Sequence, residues 1–285
     1  MLDALTLPFV EFGFMRRALA GCVAVSIGAV PFGVFMVLRN MSLVGDAISH
    51  AILPGTAVAY LVAGLSLSAM TVGGLAAGLI VALLGGVLSQ RDAPQDNAGI
   101  AALYLISLAL GVLLVSSHGS QVDLFHILFG SLLALDSAAL RLLGAIATFS
   151  LITLTLLYRP LITSCLDPDY LPVSRSVRLL AQYGFLVLTV LNLVAGFQAL
   201  GTLLAVGLMI LPATTARLWT HSLHRMIFLS VVLSLCACGT GLLLSFYRDW
   251  ATGPSIILCL GALYMLSLAL HRLAGFPLRF PLLHH

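Results

Sequence analysis

Lysine is absent from this 285-residue chain, so all 13 basic side chains are arginine. A GxxxxGK[ST] phosphate loop cannot be built without lysine, and lysine Schiff-base chemistry is excluded with it. Any nucleotide hydrolysis that serves the chain must therefore sit on a separate subunit. Charge of either sign is scarce, at 8% of residues against 61% hydrophobic, and mean hydropathy is +1.13. Those values exclude a water-soluble fold and read as a multispanning membrane protein. The N-terminal residues carry the acidic Asp3 and lack a basic region and a small-residue cleavage site, so no processing is expected. The cysteines Cys22, Cys165, Cys236, Cys238 and Cys259 fall mostly in apolar runs and imply no disulfide framework. Cys236 and Cys238, two apart on a helix, point about 200° apart and do not make a chelating pair.

What is present is long apolar runs punctuated by Arg, Asp, Pro and Gly. At about 20 residues per crossing, the length allows roughly eight to ten spans and leaves no room for a soluble domain. The expectation is an all-α bundle of about nine spans forming one transmembrane domain over residues 1–285. The spans are placed near Ala18 to Leu38, Ala47 to Gly64, Leu67 to Leu88, Gly99 to Ser116, Ala138 to Tyr158, Leu179 to Phe197, Gly201 to Trp219, Met226 to Tyr247 and Pro254 to His271. Gly74, Gly78, Ala82 and Gly86 recur four apart and read as a close-packing stripe.

Alternate loops place Arg39, Arg91, Arg159, Arg175, Arg178, Arg217, Arg225, Arg272 and Arg279 on one side, and Arg16, Arg17, Arg141 and Arg248 on the other. The richer side is read as cytoplasmic. An interfacial or short spanning segment within Leu2 to Phe14 would reconcile Arg16 and Arg17 with that vote. Arg159 to Arg178 is read as a cytoplasmic connection, with a short surface helix and the docking surface for a partner. Ser117 to Asp136 contains an apolar run too short to cross, so an outer re-entrant or interfacial segment is expected.

Asp46 and His50 stand i, i+4 inside an apolar run, on one helix face, where a carboxylate and an imidazole can share a cation. Capping of a helix start accounts for Asp46 but not for His50 as well. An ionised carboxylate in hydrocarbon costs several kcal/mol, a cost that a divalent cation offsets. Pro54 leaves the His50 carbonyl without its usual N–H donor, a further oxygen for an ion or water. An oxygen and an imidazole nitrogen suit zinc or manganese better than magnesium or calcium. Two ligands make an incomplete shell, which suits an ion in passage. His118, Asp123 and His126 form a second candidate metal cluster on the outer side, and solvated loop residues account for them equally well. His221, His224, His284 and His285 are read as interfacial or tail residues, and the Pro212 kink with its flanking threonines as a bend satisfied by neighbours.

The run GDAISHAILPG, from Gly45 to Gly55, resembles the signature of the membrane permeases of bacterial zinc and manganese ABC importers. Asp123 to Ser131 is similar to that family's outer aromatic-glycine segment, Gly201 to Ala216 to its glycine-to-proline helix, and Ser245 to Asp249 to its late serine-aromatic-acid element. The resemblance implies a transport subunit with no catalysis of its own and no permanently bound cofactor, carrying Zn2+ or Mn2+ across the bacterial inner membrane. Zinc is favoured on the histidine-rich outer segment. The implied partners are cytoplasmic ATPase subunits, a periplasmic or lipid-anchored metal-binding protein, and a second permease, identical or homologous; no nucleic acid is expected. It places metal at Asp46 and His50, and ATPase contact at Asp167, Pro168 and Asp169. Trp250 to Pro254 departs from the family's proline-then-glycine order, so no role carries over to Asp249. Two alternatives stand beside this reading. A siderophore or cobalamin permease would need a wide cavity instead of a charged pair, and an intramembrane metalloprotease would need HExxH or an equivalent third ligand.

Overall fold

The computed structural model describes residues 2–64, 66–91, 98–117, 132–166, 175–220 and 222–273, and every regular element among them is helical. In chain order these are α1 (Leu2–Glu11), α2 (Gly13–Gly28), α3 (Val30–Leu38), α4 (Ser42–Ala63), α5 (Leu67–Arg91), α6 (Ala98–Ser117), a 3-10 turn at Leu132–Ala134, α7 (Ser137–Leu166), α8 (Arg175–Leu200), α9 (Thr202–Trp219), α10 (Leu223–Arg248) and α11 (Thr252–Leu273). Among the described residues, eight stretches are long and apolar enough to cross a bilayer, the first being α2 and α3 together, Gly13–Leu38. α6, with its apolar stretch Ala101–Leu114, stands where the remaining expected span falls. α1 has 10 residues, about 15 Å of helix, too short to cross.

The centre of the bundle is α3, whose residues Val30 to Val37 are all buried. It begins anew after Ala29 because Pro31 lacks an N–H and is tolerated only in a first helical turn. α3 packs on α9 and α10, α2 on α7 and α10, and α5 on α8, while α4 is flanked by α5 and α6. Two glycines of the stripe pack as expected: Gly74 lies against Ile52 and Thr56, and Gly78 against Val190 and Ile52. Cys236 is exposed and Cys238 buried, so the pair points to opposite sides.

Contacts at the helix ends separate Arg39, Arg159, Arg217 and Arg225 from Arg17, as the charge vote does for these five. Arg217 Nη1 donates to Val37 O at 3.1 Å, and Tyr158 Oη lies 2.9 Å from His224 Nε2, gathering Arg39, Arg159, Arg217 and Arg225 at one end. At the other end, Arg17 Nε donates to Leu135 O at 3.1 Å, and the Phe12 and Phe246 rings lie 5.4 Å apart. Leu132 and Leu135 are buried there, so the described end of the connection between α6 and α7 turns into the bundle.

One expected connection is shorter than its sequence suggested. α7 does not stop near Tyr158 but continues through Pro160 to Leu166. Leu161, fully buried, anchors the turn after the proline, and its packing outweighs the lost backbone hydrogen bond. The proposed coupling residues Asp167, Pro168 and Asp169 lie outside the described residues.

Polar side chains join the spans from within. Ser26 and Ser234 hydroxyls meet at 2.7 Å across α2 and α10, and Thr71 and Gln198 exchange hydrogen bonds across α5 and α8. Buried Asn192 Nδ2 donates to Ser150 Oγ at 2.7 Å and to Leu188 O at 2.8 Å. Asn192→Leu is expected to lower stability by about 1 kcal/mol, read as a lower thermal midpoint in detergent, because Ser150 loses its partner across the helices.

Candidate functional site

α4 carries the only acid and imidazole that the described residues bring together in a span. Asp46 Oδ1 and His50 Nε2 are 3.7 Å apart, with side chains 46% and 17% exposed. That gap is too long for a hydrogen bond. It is close to what two donors at about 2.1 Å on either side of one ion would span. A half-exposed carboxylate on a spanning helix cannot face lipid cheaply, so this face of α4 meets water, an ion or protein.

The surroundings fix α4 on three sides. Gly45 faces the Met36 and Met209 side chains, and a Cβ there would lie 3.0 Å from Met36 Cε and 3.4 Å from Met209 Cε. Gly55 and Gly73 bring α4 and α5 so close that a Cβ on either would overlap the other's carbonyl oxygen. Gly111 of α6 faces Leu53 and Pro54, and Tyr104, two turns earlier, packs its ring on His50 with centroids 4.7 Å apart and planes at 87°. Within α4, Ser49 Oγ donates to Asp46 O at 2.7 Å and Thr56 Oγ1 to Leu53 O at 2.9 Å. Both hydroxyl protons are spent on the helix's own carbonyls.

Among the described residues no group of three or more His, Cys, Asp or Glu converges, and the pair on α4 offers two donors of this kind from one helix. His118, Asp123 and His126 lie outside the described residues, as do His221, His284 and His285. Thr214 and Thr215 beside Pro212 both donate to Leu211 O at 2.8 Å, as expected of a bend satisfied locally. Asp249 is the left-handed C-cap residue of α10, with φ 53°, in a turn held by Ser245 Oγ donating to Trp250 O at 2.7 Å. Sequence reading missed Tyr104, Met36 and Met209. A tyrosine two turns from a glycine within one apolar span was the available signal for the first.

The model of the ABC 3 transport family matches residues 11–271. The chain belongs to that family. This ABC 3 family member is 34% identical over 258 residues to the manganese transport system membrane protein MntC of Halalkalibacterium halodurans, covering 90% of this chain and 87% of that protein. It is 30% identical to the chelated iron transport system membrane protein YfeD of Yersinia pestis, covering 92% of this chain and 86% of the relative. Among solved structures it resembles PsaBC from Streptococcus pneumoniae in complex with Fab, with a TM-score of 0.76, 31% identity, and coverage of 94% and 95%. The ABC 3 chain is thus a multi-pass transport component and not an enzyme. Manganese and iron are the metals in those relatives' names, where the outer histidines favoured zinc.

Proposed function

We propose that this chain is the membrane permease of an ATP-driven importer of divalent transition-metal ions, with manganese as its cargo ahead of iron and zinc. The observation that carries the reading is the Asp46–His50 pair, an oxygen and a nitrogen donor one turn apart and 3.7 Å from each other on a spanning helix. The family and the manganese relatives support the choice of cargo. A binding protein delivers the ion to the outer mouth. Asp46 and His50 replace part of its water shell, and the carbonyl of His50, freed by Pro54 and directed along the helix away from Asp46, offers an oxygen to the water that remains. Two protein donors hold the ion weakly enough to let it go, since a closed tetrahedral set would retain it. The open face of α4 receives a second permease copy or homologue, which completes the shell with water. ATPase subunits bound at Asp167 to Asp169 drive the bundle from outward to inward opening in the bacterial inner membrane.

Metal content of cells stripped of their own importers, and complemented with this chain and its partner subunits, tests the reading. Recovery of manganese is expected. Recovery of zinc or iron alone would overturn the choice of cargo, and recovery of no metal would overturn the importer.

A further inference from the structure

The second nitrogen of His50 is unexplained by the ion pathway. Nε2 faces Asp46, while Nδ1 is buried and meets no hydrogen-bond partner among the described residues. A neutral imidazole carries its proton on one nitrogen only. An ion taken at Nε2 requires that proton on Nδ1, and ligating histidines ordinarily hand it to a carboxylate, a carbonyl or water. His50 has instead the ring of Tyr104, perpendicular at 87° and 4.7 Å between centroids, the arrangement in which one ring's edge meets the other's face. α6 is fixed at that height by Gly111 against Leu53 and Pro54.

We propose that the π face of Tyr104 receives the Nδ1–H of His50, and thereby sets the tautomer that leaves the Nε2 lone pair free for the ion. Tyr104 is on this account a positioning residue; it touches His50 and not the cargo. A π face holds an N–H more weakly than a carboxylate does, so it fixes the ring without raising the basicity of Nε2. That suits a ligand that must let its ion go. The inference rests on the reading of Asp46 and His50 as a metal station.

Two measurements test it. In metal-free protein in lipid nanodiscs, the 15N signals of His50, identified by their loss in His50→Gln, report which nitrogen bears the proton. The Nδ1-protonated form is expected in wild type and Tyr104→Phe, and a mixture or the Nε2 form in Tyr104→Leu. In cells at matched membrane levels, Tyr104→Leu is expected to raise the half-saturating manganese concentration about twofold to fivefold at unchanged maximal rate, with Tyr104→Phe near wild type. Should Tyr104→Leu fail to fold, phenylalanines of increasing fluorination at position 104 keep the shape while draining the ring face, and half-saturation should climb with each fluorine. A wild-type tautomer and half-saturation in Tyr104→Leu, no trend across the fluorinated series, or equal loss in Tyr104→Phe and Tyr104→Leu would overturn the role of the ring face. Wild-type uptake in Asp46→Ala would instead remove the metal station, while the tautomer measurement on metal-free protein would still decide what Tyr104 does.

Discussion

If the proposed metal station is right, Asp46→Ala and His50→Ala are each expected to lower manganese uptake by at least about tenfold at wild-type membrane levels, with the double variant little worse than either single one. The magnitude follows from removing one of two protein donors, since even outer-shell partners of a metal are worth about tenfold to a hundredfold. Near-equality of single and double variants follows from the shared ion, because a lone donor cannot strip water from it. Asp46→Asn separates charge from shape: it keeps the side chain's size and an oxygen donor but no longer offsets the cation's charge, so it is expected to fall near Asp46→Ala. Stability should change little at Asp46, which is half exposed and whose carboxylate is paired, among the described residues, with His50 at 3.7 Å. Uptake of a tracer manganese isotope, with membrane levels read by immunoblot, decides the matter. Wild-type uptake in both single variants would mean that the pair is structural.

Much of this site was legible in the amino-acid order because its chemistry conflicts with its surroundings. An acid and an imidazole one turn apart in an apolar run cannot be there for packing alone, and Pro54 a turn later marks the freed carbonyl. The spans were legible for a similar reason, since hydrophobic length is set by the bilayer and by nothing remote in sequence. The helix boundaries around prolines were not. Pro31 restarts a helix and Pro160 does not end one, and the difference is tertiary: Leu161 has a buried seat that makes continuing worthwhile. Tyr104 was hidden because its importance depends on which helix faces α4, and periodicity within one span says nothing of its neighbours. Gly33 of α3, which lies against the Met209 backbone of α9, was hidden likewise, because a single glycine reads alike whether it faces a lipid tail or a backbone.

Gly33→Ala is expected to abolish accumulation of the folded protein, because no other described glycine lies as close to a neighbouring helix's backbone. A Cβ on Gly33 would overlap the carbonyl oxygen of Met209, with that residue's carbonyl carbon at 2.6 Å and its Cγ at 3.0 Å. Two of those atoms are backbone within α9, so no rotamer change relieves the clash, and the helices must separate. Separation strips contacts from a central helix that is buried from Val30 to Val37, and overpacking of such a core costs about 1–3 kcal/mol or more. It also pulls Met36 and Met209 away from Gly45, the residue before Asp46, so any protein that survives should transport poorly. Internal controls come from Gly144, Gly239 and Gly261, where an added Cβ meets nothing within 4 Å; alanine there should accumulate and melt as wild type or slightly better. Gly207 supplies the contrasting case, because its added Cβ would strike the flexible Cδ1 of Ile257. Gly207→Ala should therefore be partly rescued by Ile257→Val, whereas Met209→Ala should not rescue Gly33→Ala, since truncating the side chain leaves the obstructing carbonyl in place. Fluorescence-detected size exclusion across this series reads both outcomes, and wild-type accumulation of Gly33→Ala would show that α3 and α9 do not meet as closely as described.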